Sequence, residues 1–215
     1  MRRAACIPFL LALAASAAEA PAVDISVEHW SGSEWRTVEP TTVFSANDQI
    51  RFRFSTATPG YLYVLNRSSS GETEWIFPNR QTGRRNSVEP GQSYLIPATD
   101  GAFVIGGTPG FDITYWLVSP TPLSDWEHSL EPPPAKVEDT LLPRCRDGVL
   151  KARGLCLDDR AGAGAVRDPG SVPKVFGEEP ALRSRSLRFT GKGSSTRIQG
   201  RQNAPLLYEF RIAHR

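Results

Sequence analysis

The sequence predicts an all-β protein, an antiparallel β-sandwich that is immunoglobulin-like or related in topology. Short apolar segments of strand length recur at intervals of about ten residues, and no segment shows a convincing helical period. The 18 glycines and 18 prolines among 215 residues suit many turns between short strands. The chain is long enough for one domain with a sizeable core and some accessory segments.

The N-terminal residues have the three parts of a signal peptide. Two arginines precede the apolar stretch 7–15, and two small-residue cleavage sites follow it. The stretch is shorter than the roughly 20 residues of a spanning helix, which favours a cleaved signal over an anchor. We expect cleavage after Ala17, with Ala20 as the later alternative. The protein is then exported, periplasmic or extracellular, with no transmembrane segment after signal removal.

The first strands are predicted on either side of a Ser-Gly-Ser turn. Apolar and polar residues alternate in residues 23–30, and residues 34–38 form the returning strand. The clearest alternation follows in residues 49–54. There the isoleucine and two phenylalanines should face the core, and the two arginines should face water.

Residues 60–65 are the stretch around which the predicted fold is organised. They are apolar on both alternating faces, which is typical of a strand buried on both sides near the middle of a sheet. Residues 74–77 follow a polar, glycine-containing loop, so the two segments should form a hairpin. Further strands are predicted at 94–96, 102–105 and 113–118.

The C-terminal half contains a looser segment and then strands again. Residues 131–180 are rich in glycine, proline and charge, and we interpret them as a looped insert. Residues 187–190 and 195–198 should pair with each other. Residues 206–212 form a strong alternating strand, which we expect to return to the main sheet and pair with the first strand, residues 23–30.

We therefore divide the chain into four segments. They are a signal peptide at 1–17, a β-sandwich domain at 21–130, the insert at 131–180 and the C-terminal strands at 181–215, which complete the sheet.

Cys145 and Cys156 are the two cysteines that remain after signal removal, and we expect them to form a disulfide in an oxidising compartment. This link closes a loop that contributes about 3 kcal/mol in the chain-entropy model. A metal site would need more cysteine or histidine nearby, and a redox pair is more often spaced Cys-x-x-Cys. We expect no metal and no cofactor.

The order of several short motifs resembles a known bacterial family, number 4384 among the domains of unknown function. The resemblance covers residues 39–122 and implies an all-β module found in exported proteins, with no catalytic residues to transfer. Its motifs are Val43-Phe44, the segment 47–52, Gly-Tyr-Leu-Tyr-Val-Leu-Asn at 60–66, Gly71 with 75–78, the segments 88–92 and 94–97, and Thr108-Pro109-Gly110.

The sequence offers few residues for catalysis. The histidines are His29, His128 and His214, and the serine nucleophile motif Gly-x-Ser-x-Gly does not occur. We predict a non-catalytic binding or scaffolding module of the bacterial cell envelope. One alternative is an envelope hydrolase that uses Ser or Asp with His128 or His214. The other is a structural subunit of a larger envelope assembly, with the last strand exchanged between chains.

Two surfaces are candidates for binding. Most strand aromatics should pack in the core, whereas Trp30 and Trp35 flank a turn and are candidates for an exposed platform. Residues 144–201 carry 13 Lys or Arg and 6 Asp or Glu. This excess indicates either a solvated insert or attraction to an acidic polymer, anionic lipid or envelope protein. Arg183, Arg185 and Arg188 are its candidate contacts, and no nucleic-acid partner is expected.

Overall fold

The computed structural model describes residues 20–124, 126, 142–145, 156–177, 180 and 183–215. Within these residues the fold is all-β, and two seven-stranded sheets form a sandwich, as predicted. The predicted signal peptide and His128 lie outside the described residues. No described helix is long and apolar enough to cross a membrane.

The strands are numbered in chain order. The first seven are β1 (Ala22–Trp30), β2 (Trp35–Val38), β3 (Val43–Phe44), β4 (Gln49–Thr56), β5 (Gly60–Arg67), β6 (Thr73–Phe77) and β7 (Ser87–Val88). The other seven are β8 (Ser93–Ile96), β9 (Phe103–Val104), β10 (Gly110–Ser119), β11 (Gly162–Gly164), β12 (Arg188–Lys192), β13 (Ser195–Gln199) and β14 (Leu206–His214).

The two sheets differ in how their strands are connected. The first has the order β12-β13-β1-β4-β8, with β2 beside β1 and β9 beside β4. The second has the order β11-β14-β10-β5-β6, with β3 beside β14 and β7 beside β5. All pairs of these strands are antiparallel except β3 with β14, which run parallel. Each sheet therefore combines strands from both ends of the chain.

The main core lies between the two sheets. On β4 the predicted alternation is confirmed, because Ile50, Phe52 and Phe54 are fully buried while their neighbours are more exposed. Trp116 of β10 packs against this row, with ring centroids 5.0 Å from Phe52 and 5.9 Å from Phe54. Aromatic contacts of this kind add to the burial of apolar area that stabilises the sandwich.

The prediction for residues 60–65 is confirmed. β5 lies between β10 and β6, and its residues Leu62 to Leu65 are buried. Its even-numbered side chains Leu62 and Val64 belong to the inter-sheet core, and its odd-numbered side chains Tyr63 and Leu65 belong to a second cluster. The hairpin with β6 also forms, with a register shift between Val64 and Leu65.

The prediction that the last strand pairs with the first strand is wrong. β14 pairs with β10 along nine residue pairs, whereas β1 lies between β13 and β4. The physical reason is the burial of β14, whose nine residues are all buried. A strand of this kind needs a sheet that is covered on both faces, and the first sheet has a polar outer face that includes Asp24 and Ser26.

The second sheet is covered on its outer face by the described part of the insert. Val166, Val172 and Phe176 pack there against Tyr115 and other side chains of the sheet. Two short 3₁₀ helices, Pro169–Ser171 and Lys174–Phe176, carry part of this cover. The Tyr115 hydroxyl is 2.7 Å from the Ser171 hydroxyl, a hydrogen bond that links the sheet to the insert.

The expected disulfide joins Cys145 to Cys156, with a Cα–Cα distance of 4.9 Å that is typical of disulfides. Next to it, the chain segment 156–158 is hydrogen-bonded to residues 41–43. Asp158 is fully buried there and accepts hydrogen bonds from the Arg160 guanidinium and the Arg144 amide. Burial alone would raise the pKa of Asp158, but these hydrogen bonds outweigh it and hold the pKa well below its usual range.

Candidate functional site

The candidate site is a cleft at the edge of the second sheet, where β6 ends. Its volume is about 320 Å³, within the range of small-ligand sites. We call it the tryptophan cleft, and its lining residues are Trp75, Pro78, Asn79, Arg80, Arg84 and Trp126. It combines flat apolar rings with two cationic side chains.

Two indole rings form the apolar part of the tryptophan cleft. The ring centroids of Trp75 and Trp126 lie 5.4 Å apart at an interplanar angle of 79°, so the rings meet edge to face. Trp75 also contacts Phe176 from the insert, at 5.5 Å, and is only 8% exposed. Trp126 remains half-buried. The Trp75 ring is therefore held in place by Phe176, and the Trp126 ring is nearly perpendicular to it.

Trp126 is placed beside the sheet by the chain that precedes it. The backbone amide of Leu123 donates a hydrogen bond to the Tyr63 hydroxyl at 2.9 Å. The Tyr63 and Trp126 rings are 5.8 Å apart, and Tyr63 is itself buried on β5. Tyr63 of β5 thus anchors the segment that brings Trp126 to Trp75.

The opposite side of the cleft is the arginine loop, residues 78–86, whose conformation is set by Asn79. The Asn79 side-chain oxygen accepts hydrogen bonds from the amides of Gln81 and Thr82 and from the Thr82 hydroxyl, all at 2.8 to 2.9 Å. Its side-chain nitrogen donates to the Trp75 carbonyl at 2.8 Å. Asparagine stabilises turns in this way because its amide substitutes for backbone partners. One side chain therefore fixes the loop to the end of β6.

Gly83 completes the fixation of the arginine loop. Its φ is 115°, a conformation that favours glycine, and an added Cβ would lie 2.8 Å from the Cβ of Ala98. The Ala98 amide donates to the Thr82 carbonyl at 2.6 Å. The backbone that carries Arg80 and Arg84 is therefore held on both sides, and the site is largely preformed.

The charge of the arginine loop is not neutralised by the described residues. Arg80, Arg84 and Arg85 are exposed, and none of them forms an ion pair with a described acidic residue. The loop itself contains no Asp or Glu, and neither does the strand β7 that follows it. Two of these guanidinium groups line the tryptophan cleft, and each presents several donors suited to a carboxylate. The cleft therefore favours an anionic ligand.

The predicted platform of Trp30 and Trp35 lies on a different part of the molecule. The two residues face each other across the β1–β2 pair, with ring centroids 5.4 Å apart, and both are half-buried. The Arg51 guanidinium lies 4.3 Å from the Trp35 ring centroid, and its Nε donates to the Glu28 carboxylate at 2.6 Å. The structure thus brings the two tryptophans together, and the nearby arginine has internal partners.

The three arginines predicted as basic contacts are also exposed, but they do not meet this platform. Arg183 and Arg185 lie at a short 3₁₀ helix before β12, and Arg188 begins β12, a strand at the edge of the first sheet. Arg188 is linked through Gln199 to Ala22 at the start of β1. Trp30 is at the other end of β1, about 26 Å away at the usual rise of a strand. The two predicted surfaces therefore lie apart on the molecule.

The histidines in the described residues are engaged in local pairs. His214 is 2% exposed, and its Nε2 is 3.3 Å from the Asp112 carboxylate. His29 lies 3.3 Å from Asp48. The Asp112 carboxylate also accepts the amide of Ser69 at 2.8 Å. Among the described residues, no group of three His, Cys, Asp or Glu is arranged to hold a metal ion.

The family comparison bears directly on the segment that carries the cleft. Residues 43–122 match the model of the family DUF4384, a domain of unknown function. The resemblance seen in the sequence is confirmed. The matched segment runs from β3 to just beyond β10, so it includes β6 and the arginine loop but not Trp126. No curated protein and no solved structure matches the chain significantly.

The DUF4384 segment does not form the two sheets by itself. β1 and β14 lie outside it, and each is an internal strand of its sheet. Without β1, β4 would lose its longest partner, and without β14, β10 would become an edge strand. The folded unit therefore extends beyond the DUF4384 match at both ends.

The tryptophan cleft could not be predicted from the sequence, for a topological reason. Trp126 is 51 positions after Trp75, and no local pattern indicates that they meet. The one available signal was the arginine loop itself, a polar segment with three arginines directly after a strand that ends at Pro78-Asn79. Charged side chains on a loop at the end of a buried strand are a common form of binding site.

Proposed function

We propose that this protein is a non-catalytic, exported binding module of the bacterial cell envelope, and that the tryptophan cleft is its ligand site. The signal-like N-terminal sequence supports export, and the disulfide is compatible with an oxidising compartment. The observation that carries the proposal is a preformed cleft with two indoles and two arginines that form no ion pair with any described residue. Aromatic and arginine side chains are the types most enriched where proteins bind partners.

The chemistry of the cleft favours binding over catalysis. Its described lining consists of tryptophan, arginine, asparagine and proline, which are not the usual nucleophiles or general bases. His214, the described histidine of the hydrolase alternative, is buried against Asp112. The hydrolase alternative would require a reacting group that reaches a substrate, and the imidazole of His214 is shielded.

Rigidity of the arginine loop supports the same function. Ordering a loop on binding costs free energy, and a loop already fixed by hydrogen bonds avoids most of that cost. Asn79 provides these bonds before any ligand arrives. The affinity of a binding module depends on the interaction free energy that remains after the cost of ordering its loops, so a loop that is already ordered favours binding.

The test is retention of envelope material by immobilised protein. Soluble polysaccharide and protein fractions of a bacterial envelope extract are passed separately over the wild type and over the double variant Arg80→Gln/Arg84→Gln. The proposal predicts that at least one component is retained by the wild type and lost by the variant. Equal retention by both would refute the cleft as the site, and no retention from either fraction would refute the binding function.

A further inference from the structure

The chemical class of the ligand follows from the lining of the tryptophan cleft. We propose that the cleft binds a carboxylate-bearing sugar of an acidic polysaccharide, with Arg80 and Arg84 contacting the carboxylate and the two indoles contacting the sugar ring. This inference rests on the proposed function. Three features of the molecule support it: the charge of the cleft, the shape of its apolar wall and the hydrogen bonding of the neighbouring strand edge.

The charge of the cleft favours an anion. Arg80 and Arg84 line it, Arg85 follows directly, and the arginine loop carries no acidic residue. An arginine and a carboxylate form short, charge-assisted hydrogen bonds that are often bidentate. Two guanidinium groups on a fixed backbone can therefore bind a carboxylate in a defined position.

The apolar wall suits a ring with C–H groups on one face. The indoles of Trp75 and Trp126 meet at 79°, which makes a corner of two perpendicular apolar surfaces. The face of one indole and the edge of the other form this corner. A ligand ring can therefore stack on a single indole face. A sugar ring has an apolar face and polar edges, so it fits beside the indole face while its carboxylate points to the arginines.

The state of the strand edge argues against an added peptide strand. β6 is the terminal strand of the second sheet, which is the usual place for an extended peptide to pair. However, the Trp75 carbonyl already accepts a hydrogen bond from the Asn79 side chain, and the Asn79 and Gly83 backbones bond to each other just beyond it. A regular ladder of peptide hydrogen bonds is interrupted there, so a ligand recognised by its side groups is favoured.

The experiment is a calorimetric titration of the full mature protein with three probes. The probes are trigalacturonate, its trimethyl ester and triglutamate, which provide a charged sugar, the same sugar without charge and a charged peptide. We expect trigalacturonate to bind at least tenfold more tightly than either of the other two. Raising the salt concentration to about 0.5 M should weaken the binding, because exposed charge pairs are screened.

Variants of the arginine loop test which arginines contact the ligand. Arg80→Gln/Arg84→Gln should weaken the binding of trigalacturonate at least tenfold, whereas Arg85→Gln should change it less than twofold, because Arg85 is exposed in the same loop but does not line the cleft. All three side chains are exposed, so the variants should fold, and their thermal unfolding is measured in parallel. An equal loss in Arg85→Gln would mean nonspecific charge attraction and would overturn the inference.

The outcomes separate this inference from the proposed function. Equal binding of the ester and the acid, or of triglutamate and trigalacturonate, would overturn the carboxylated sugar as ligand while the cleft remained a binding site. Absence of binding by all three probes would overturn the inference alone if the wild type still retained an envelope component that the double variant lost. If that retention were also absent, both proposals would be wrong.

Discussion

Replacing Asp158 by Asn tests how much the buried Asp158 carboxylate stabilises the fold by joining Arg144 and Arg160 within the insert. The Asp158 carboxylate is fully buried, and the Arg160 side chain is 18% exposed. Both carboxylate oxygens accept hydrogen bonds, from the Arg160 guanidinium and from the Arg144 and Arg160 amides. An asparagine would remove the charge and turn an N–H₂ group toward these donors.

The magnitude follows from the loss of one partner in a buried pair. Such a loss costs about 3 to 5 kcal/mol, and we expect about 3 kcal/mol because the Arg160 guanidinium keeps some access to water. For a chain of this length each kcal/mol lowers the unfolding temperature by about 2 to 4 °C, which gives a decrease of about 6 to 12 °C. Asp159→Asn is the matched control, since Asp159 is exposed, and it should cost less than about 1 kcal/mol.

The lowered pKa of Asp158 determines how its contribution to stability changes with pH. The pKa of Asp158 in the folded state lies below its ordinary value of 3.8, so the ionised carboxylate stabilises the fold above that value. The difference in unfolding free energy between wild type and Asp158→Asn should be constant from about pH 7 to about pH 5 and shrink as the pH falls further. Urea unfolding at several pH values measures it. A difference below about 1 kcal/mol at neutral pH, or one equal to that of Asp159→Asn, would refute the reasoning.

The remaining predictions concern stability and are measured by urea unfolding. Tyr208→Phe should leave stability unchanged or raise it by up to about 1 kcal/mol, because its buried hydroxyl has no hydrogen-bond partner among the described residues. Tyr115→Phe should instead cost about 1 kcal/mol, since it loses the bond to Ser171. Glu28→Gln should cost about 2 kcal/mol by leaving the half-buried Arg51 and the exposed Arg53 without their buried anion, and the exposed Glu34→Gln less than about 0.5 kcal/mol. Reduction of the disulfide should cost about 3 kcal/mol, and unchanged stability after reduction would contradict its structural role.

The fold was predictable where the sequence shows a period of two residues. The alternation of Ile50, Phe52 and Phe54 with arginines places one face in the core, and the structure has this arrangement. The double-sided apolar pattern of β5 likewise predicts an internal strand. These predictions depend on local side-chain patterns, which determine the burial of each face.

Pairing partners were less predictable, because strand periodicity does not identify the neighbouring strand. The partner of β14 depends on which sheet is covered on both faces, and that cover comes from Val166, Val172 and Phe176 of the insert. These residues belong to a segment with the composition of a loop. The tryptophan cleft also depends on contacts distant in sequence, since Trp126 meets Trp75 in a segment that is hydrogen-bonded through Leu123 to Tyr63 of β5.

The indole N–H signals of the protein provide the most direct test of the tryptophan cleft as the ligand site. The chain has five tryptophans, and each gives a separate signal in a ¹⁵N-correlated NMR spectrum that Trp→Phe variants assign. Titration with trigalacturonate should shift the signals of Trp75 and Trp126 in a saturable way and leave those of Trp30, Trp35 and Trp116 in place. Shifts confined to Trp30 and Trp35 would move the site to the first sheet, and unshifted signals of Trp75 and Trp126 would contradict the account.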